Sequence, residues 1–158
     1  LNHTASELLD FVRSEMDLAH VKTRLDADPV TQAALVDPNQ VRAALLNLLR
    51  NAREAMPGGG HIVMRVRSLG GQATVEVTDT GLGIPEDVQR RLFEPFYSTK
   101  PQGTGLGLAM VKQIVEAQGG DVQLIASSSS GTTIRLFFPL AGKPDDSAGV
   151  NEPGQPCD

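Results

Sequence analysis

A chain of 158 residues with 40% hydrophobic and 21% charged residues has the make-up of one globular domain with a single core. Its net charge of -5 argues against nucleic-acid binding and against direct membrane contact, both of which favour a basic face. Lone Cys157 cannot close an internal disulfide, and no Cys/His metal constellation, signal-peptide pattern or apolar run of transmembrane length is legible.

Thr4-Ala5-Ser6-Glu7 reads as a capping box before Leu8, Leu9, Val12 and Met16, which predicts a helix from about Ala5 to Asp17. Val21 to Asp26 alternates like a strand that Pro29 ends, and Leu35-Val36 is read as a short second strand. Asp37-Pro38 caps a second helix whose apolar stripe is Val41, Leu45, Leu48, Leu49, Ala52 and Met56, stopped by Pro57 and three glycines. Ile62, Met64 and Val66 alternate, as do Val75 and Val77, and Gly70-Gly71 between them predicts a hairpin.

Pro85 opens a short helix to Arg91. A longer helix follows Gly107, carries Leu108, Val111, Ile114 and Val115, and closes at Gly119. Val122–Ala126 and Thr133–Phe138 form a second hairpin around a Ser/Gly loop at Ser127–Gly131. From Ala141 to Asp158 the composition turns to Pro, Gly, Asp and Ser, and this stretch is read as a disordered tail. The fold class expected is α/β: a two-layer α/β sandwich with helices on one face of a mixed, mainly antiparallel sheet.

Four clusters carry chemistry. Asn47 and Asn51 are four apart, so both amides project from one face of the second helix. A carboxamide oxygen suits Mg²⁺ whose other ligands are water and phosphate, although two surface asparagines would read the same way. Asp79 ends an alternating strand before Gly81 and Gly83. Its carboxylate can accept the exocyclic amine of adenine, which guanine lacks at that position, or can simply belong to a turn.

Gly103, Gly105 and Gly107 run straight into a helix, where backbone amides and the helix N-terminus favour phosphate. Their spacing is neither a Rossmann fingerprint nor a P-loop. Between the glycine clusters, Phe93, Phe96 and Tyr97 are either core or the anchors of a mobile lid tipped by Ser98-Thr99-Lys100. Lys100 is a candidate γ-phosphate contact or a solvated loop lysine. Taken together, the clusters describe an ATP site.

In this order the clusters resemble the catalytic ATP-binding domain of two-component sensor histidine kinases, in the wider GHKL (Bergerat-fold) superfamily with gyrase, heat-shock ATPase chaperones and mismatch-repair ATPases. The N box is Asn47-Leu48-Leu49-Arg50-Asn51-Ala52, and the first glycine box is Asp79 to Pro85. Leu92 to Tyr97 forms the F box, and Gly103 to Leu108 the second glycine box. Gly131-Thr132-Thr133-Ile134 with Phe138-Pro139 resembles the family's last hairpin. The Ser98-Thr99-Lys100 sequence is similar to the short-lid, nitrogen-regulation type.

The resemblance implies residues 1–140 as the catalytic domain, with ATP and Mg²⁺ as cofactors and Asn51 as the metal ligand. It implies a catalytic set of Asn47, Asn51 and Lys100. Nucleotide contacts would come from Asn51, Arg53, Asp79, Gly81, Gly83, Ile84, Phe96, Ser98, Thr99, Lys100, Gly103, Thr104, Gly105, Leu106, Gly107, Leu108 and Thr132. Two departures matter. Asn47 stands where the hydrolysing relatives carry a Glu base, which disfavours attack by water. Glu54 stands where many members carry a Lys.

His3, His20 and His61 lack the flanking pattern of the family's phosphoacceptor. The expectation is therefore a kinase half of a larger protein, monomeric alone and cytoplasmic or the cytoplasmic part of a membrane-bound sensor. Its implied partners are a phosphoacceptor dimerisation-helix domain and, indirectly, a response regulator. The competing readings are a GHKL-type ATPase switch and an ATP-binding regulatory module without phosphotransfer.

Overall fold

A computed structural model describes residues 1–30, 33–97 and 104–141. In chain order the elements are α1 (Asn2–Leu18), β1 (Val21–Ala27), α2 (Pro38–Glu54), β2 (Gly60–Leu69) and β3 (Gln72–Asp79). They continue with α3 (Glu86–Gln89), α4 (Gly107–Glu116), β4 (Asp121–Ser128) and β5 (Gly131–Pro139). The five strands lie in the order β1-β2-β3-β5-β4. β1 pairs with β2 in parallel and every other pairing is antiparallel. The structure is the expected two-layer α/β sandwich.

Alternation along the strands divides the two faces of the sheet. Val21, Ile62, Met64, Val66, Val75, Val77, Ile134, Leu136 and Phe138 are buried in one core with Leu8, Val12 and Met16 of α1. Leu45, Leu48 and Leu49 of α2 and Val111 and Val115 of α4 complete it. The intervening strand residues carry charge on the opposite face. There Glu76 pairs with Arg65 at 3.0 Å and with Arg135, and Asp26 pairs with Arg67 at 2.8 Å. A face tiled by ion pairs needs no second helical layer, so the sandwich stops at two.

Asp37 caps α2 through a 2.8 Å bond from the Asn39 amide, with Pro38 in the first turn as expected. Other boundaries moved. α1 starts at Asn2 with no side-chain cap, because Thr4 is buried on its inner face instead of capping it. Leu35-Val36 forms no strand; Ala34 makes a single bridge to Leu140. β4 runs on to Ser128, so the hairpin turn shrinks to Ser129-Ser130 and Ser127 becomes a strand residue paired with Thr132. The short helix after Pro85 ends at Gln89. The expected tail lies outside the described residues beyond Ala141.

Gly131 starts β5 with φ +135°, and a Cβ there would fall 1.9 Å from the Asp79 carbonyl oxygen. Only backbone surrounds that point, so nothing can swing aside. Gly131→Ala is expected to destabilise the domain by about 2–4 kcal/mol, read as a drop of roughly 5–15 °C in thermal unfolding. An unchanged melting temperature would refute the tight seam between β3 and β5.

Candidate functional site

A cavity of about 400 Å³ opens between α2, the loop after β3, α3, the start of α4 and the start of β5. Leu48, Ala52, Val77, Leu92, Leu108 and Ile134 give it apolar walls. Among the described residues its charged lining is Glu54 and Asp79. Asn51, Gly83, Ile84, Thr104, Gly105, Gly107 and Thr132 also line it, so with Asp79 and Leu108 half of the residues anticipated from sequence line one cavity. Ser98, Thr99, Lys100 and Gly103 lie outside the described residues.

Asp79 ends β3 and is only 8% exposed. Its Oδ1 accepts the Gly81 amide at 2.8 Å and the Thr132 amide at 3.3 Å. Among the described residues no hydrogen bond reaches Oδ2. Burial raises the carboxyl's pKa above the ordinary aspartate value, and the two amides pull it back. Gly81 itself does not line the cavity. A Cβ on it would fall 2.8 Å from both the Ala55 carbonyl and the Ala55 methyl, so its smallness lets the loop press onto the end of α2. The Leu82 amide reaches the same Ala55 carbonyl at 3.2 Å.

Helical rotation sorts the residues of α2. Asn51 lines the cavity, and its side chain makes no hydrogen bond among the described residues. Asn47, one turn back, does not line it. Its Nδ2 donates to the Ala43 carbonyl at 3.1 Å and lies 3.7 Å from Met110 Sδ. Arg53 follows Asn51 by two residues and therefore points about 200° away. It pairs with Glu15 of α1 at 3.2 Å and is absent from the cavity wall. That rotation was legible in the sequence.

Gly107 opens α4 directly over the asparagines: a Cβ there would lie 3.7 Å from both Asn47 Oδ1 and Asn51 Nδ2. Leu106 at the N-cap supplies no side-chain acceptor, so among the described residues no side chain caps the first N–H groups of α4 beside the cavity. Gly105 has φ +67°, and a Cβ there would fall 2.5 Å from the Phe96 carbonyl carbon. Phe96 donates its amide to the Gly105 carbonyl at 3.1 Å, joining the F box to the second glycine box.

The side chain of Phe96 does not join the site. It is 79% exposed on a left-handed residue with φ +62°, whereas Phe93 packs against the core. Tyr97 takes the cavity wall instead, with the Arg91 guanidinium 4.2 Å over its ring. The resemblance implied Phe96 as the F-box contact, and the spacing of the aromatics alone does not show that Tyr97 is the one that turns inward. Sequence reasoning also missed Ser127, whose Oγ accepts the Ile84 amide at 2.7 Å.

The model of the histidine kinase-, DNA gyrase B- and HSP90-like ATPase family matches residues 36–142. The chain belongs to that family. It is 34% identical over 140 residues to the sensor histidine kinase ZraS of Escherichia coli (strain K12), covering 89% of this chain and 30% of that protein. Sporulation kinase E of Bacillus subtilis (strain 168) is 33% identical over 135 residues, covering 85% of this chain and 18% of that one. The chain thus spans under a third of these curated relatives. A solved mycobacterial sensor histidine kinase, MprB, superposes with a TM-score of 0.73 at 31% identity, covering 87% of this chain and 93% of that one. The fold is that of a histidine-kinase catalytic domain of the GHKL type.

No helix among the described residues is long and apolar enough to cross a membrane, and none of them form a cluster of three or more His, Cys, Asp or Glu able to hold a metal.

Because its folded-state pKa is raised, Asp79 penalises folding wherever it must be charged. That penalty is absent below the ordinary aspartate range, grows as pH rises through it and is complete above the raised value. An Asn keeps an oxygen for the Gly81 and Thr132 amides without the charge. Asp79→Asn is therefore expected to unfold at a temperature equal to or higher than the parent at pH 7, with the difference vanishing near pH 3.5. A variant less stable at pH 7 than at pH 3.5, relative to the parent, would contradict this.

Proposed function

We propose that this chain binds Mg²⁺-ATP and transfers its γ-phosphoryl group to a histidine on a separate dimerisation-helix domain, within two-component signalling. The observation that carries this reading is Asp79, a buried carboxylate that shares one oxygen with two backbone amides and keeps the other for a ligand in an apolar cavity. A carboxylate so placed accepts the exocyclic amine of adenine and repels the carbonyl of guanine. Leu48, Val77 and Ile134 offer the apolar surface on which a purine lies.

The phosphates then extend toward Gly105, Gly107 and the uncapped start of α4. Asn51 suits Mg²⁺, since a single neutral oxygen serves an ion whose remaining ligands are phosphates and waters. With that metal bound, charge on the transferring phosphoryl group is neutralised. Glu54 also lines this wall, and Lys100 is a candidate γ-phosphate contact in this reading.

In the transfer, a histidine nitrogen forms the new bond to the γ-phosphorus as the bond to the β–γ bridging oxygen breaks, and ADP leaves with that oxygen. No protein carboxylate stands ready to activate water at position 47, where the Asn47 amide is tied to Ala43. This supports transfer over hydrolysis and disfavours an ATPase switch. Residues 1–140 form the working unit in this reading, with a response regulator as the next partner in the relay.

Calorimetry with ATP, GTP and Mg²⁺ tests the site. The expected result is Mg²⁺-assisted ATP binding, with GTP and the Asp79→Asn variant each weaker by roughly 10- to 100-fold. Labelled phosphate should then appear on the histidine of an added dimerisation-helix domain and not as free phosphate. A folded chain that binds no ATP would overturn the proposal.

A further inference from the structure

Two polar side chains meet where the hairpin of β4 and β5 touches the loop after β3. Ser127 Oγ accepts the Ile84 amide at 2.7 Å and lies 3.3 Å from Thr132 Oγ1, an arrangement in which either hydroxyl could donate. Thr132 lines the cavity, and its own amide holds Asp79 Oδ1 at 3.3 Å. Gly83 permits the approach: with φ +74°, any Cβ there would fall 2.0 Å from the Ser128 carbonyl oxygen and 3.3 Å from Ser127 Oγ. One hydroxyl thus ties the Gly83-Ile84 wall to the strand that holds Asp79.

The direction of the Ser127–Thr132 bond decides what the cavity offers. Were Thr132 to donate to Ser127, its hydroxyl would present only a lone pair to the ligand. A purine's ring nitrogens are themselves acceptors, so that state pairs acceptor with acceptor. With Ser127 donating, the Thr132 proton is left for the cavity. We infer that Ser127 is a positioning residue for base recognition: it fixes the Ile84 wall through its lone pair and turns the Thr132 hydroxyl into a donor toward the purine. This inference rests on the nucleotide reading of the site.

Ser127→Val and Ser127→Thr form the decisive comparison, because both are β-branched, both suit a strand and only Thr keeps the hydroxyl. ATP affinity is measured by calorimetry, and Ile84 amide exchange is followed without nucleotide. Ser127→Val should weaken ATP by roughly 3- to 10-fold and speed Ile84 exchange, while Ser127→Thr keeps both near the parent. Added to Thr132→Val, Ser127→Val should weaken ATP by less than it does in the parent, since the part of its effect that runs through that hydroxyl is already lost. Equal affinities of the Val and Thr variants, or losses that multiply in the double variant, would overturn the role. If the parent binds no ATP, the proposed function fails by itself. The Ile84 exchange comparison then still decides whether Ser127 holds that wall.

Discussion

A carboxylate at 8% exposure must be matched by fixed donors, and Asp79 finds them in backbone rather than in a basic side chain. That choice sets much of the surrounding geometry. The Gly81 amide reaches Oδ1 only because the loop turns back within two residues, and the turn fits only because Gly81 lacks a side chain against Ala55. The Thr132 amide reaches the same oxygen because β5 starts beside the end of β3, with Gly131 pressed onto the Asp79 carbonyl. A lysine or arginine partner would have stabilised the charge more strongly but would have filled the cavity and consumed the second oxygen. Amides are short, rigid donors, and among the described residues they leave Oδ2 without a hydrogen bond.

Helix α2 serves two masters, and its periodicity keeps them apart. Val41, Leu45, Leu48, Leu49 and Ala52 bury one stripe against the sheet, and truncating such a leucine costs about 2–5 kcal/mol in a core of this kind. Asn51 stands at the edge of that stripe, where α4 crosses with Gly107. The apolar packing of α2 against α4 through Val111 and Val115 therefore also fixes where the start of α4 meets the Asn51 amide. Stability and site geometry come from the same contacts, so a core substitution at Leu48 would disturb both.

Much of this was legible in the sequence because it is periodic or punctuated. The layers, the paired hairpins and the cap at Asp37 follow from alternation, heptad-like spacing and turn residues. The convergence of Asn51, Asp79, Gly105 and Thr132 followed from the ordered boxes. What sequence concealed was direction and fine boundary. The F box shows three aromatics without showing that Phe96 adopts a left-handed backbone and turns outward while Tyr97 turns in. Ser127 hid in a run of four serines that reads as loop, whereas antiparallel pairing with Thr132 extends β4 through it. The capping box at Thr4 failed because burial of that residue against the core outweighed a local cap. Arg53 needed only the 200° rotation from Asn51 to be set aside.

Charge gives the site its last constraint. Among the described residues the cavity carries two carboxylates, Glu54 and Asp79, and no lysine or arginine, in a chain of net charge -5. For a triphosphate entering such a wall, the start of α4 offers partial positive charge, worth about 0.3–1 kcal/mol at an exposed helix end. In the proposed function a divalent cation would cancel part of the phosphate charge as the polyanion enters. In the proposed function the base end would supply specificity through Asp79 and the apolar wall, and the phosphate end would supply position through Asn51 and the glycine backbone. In the proposed function, a metal that arrives with the nucleotide would couple occupancy of the site to the concentration of free Mg²⁺ as well as of ATP.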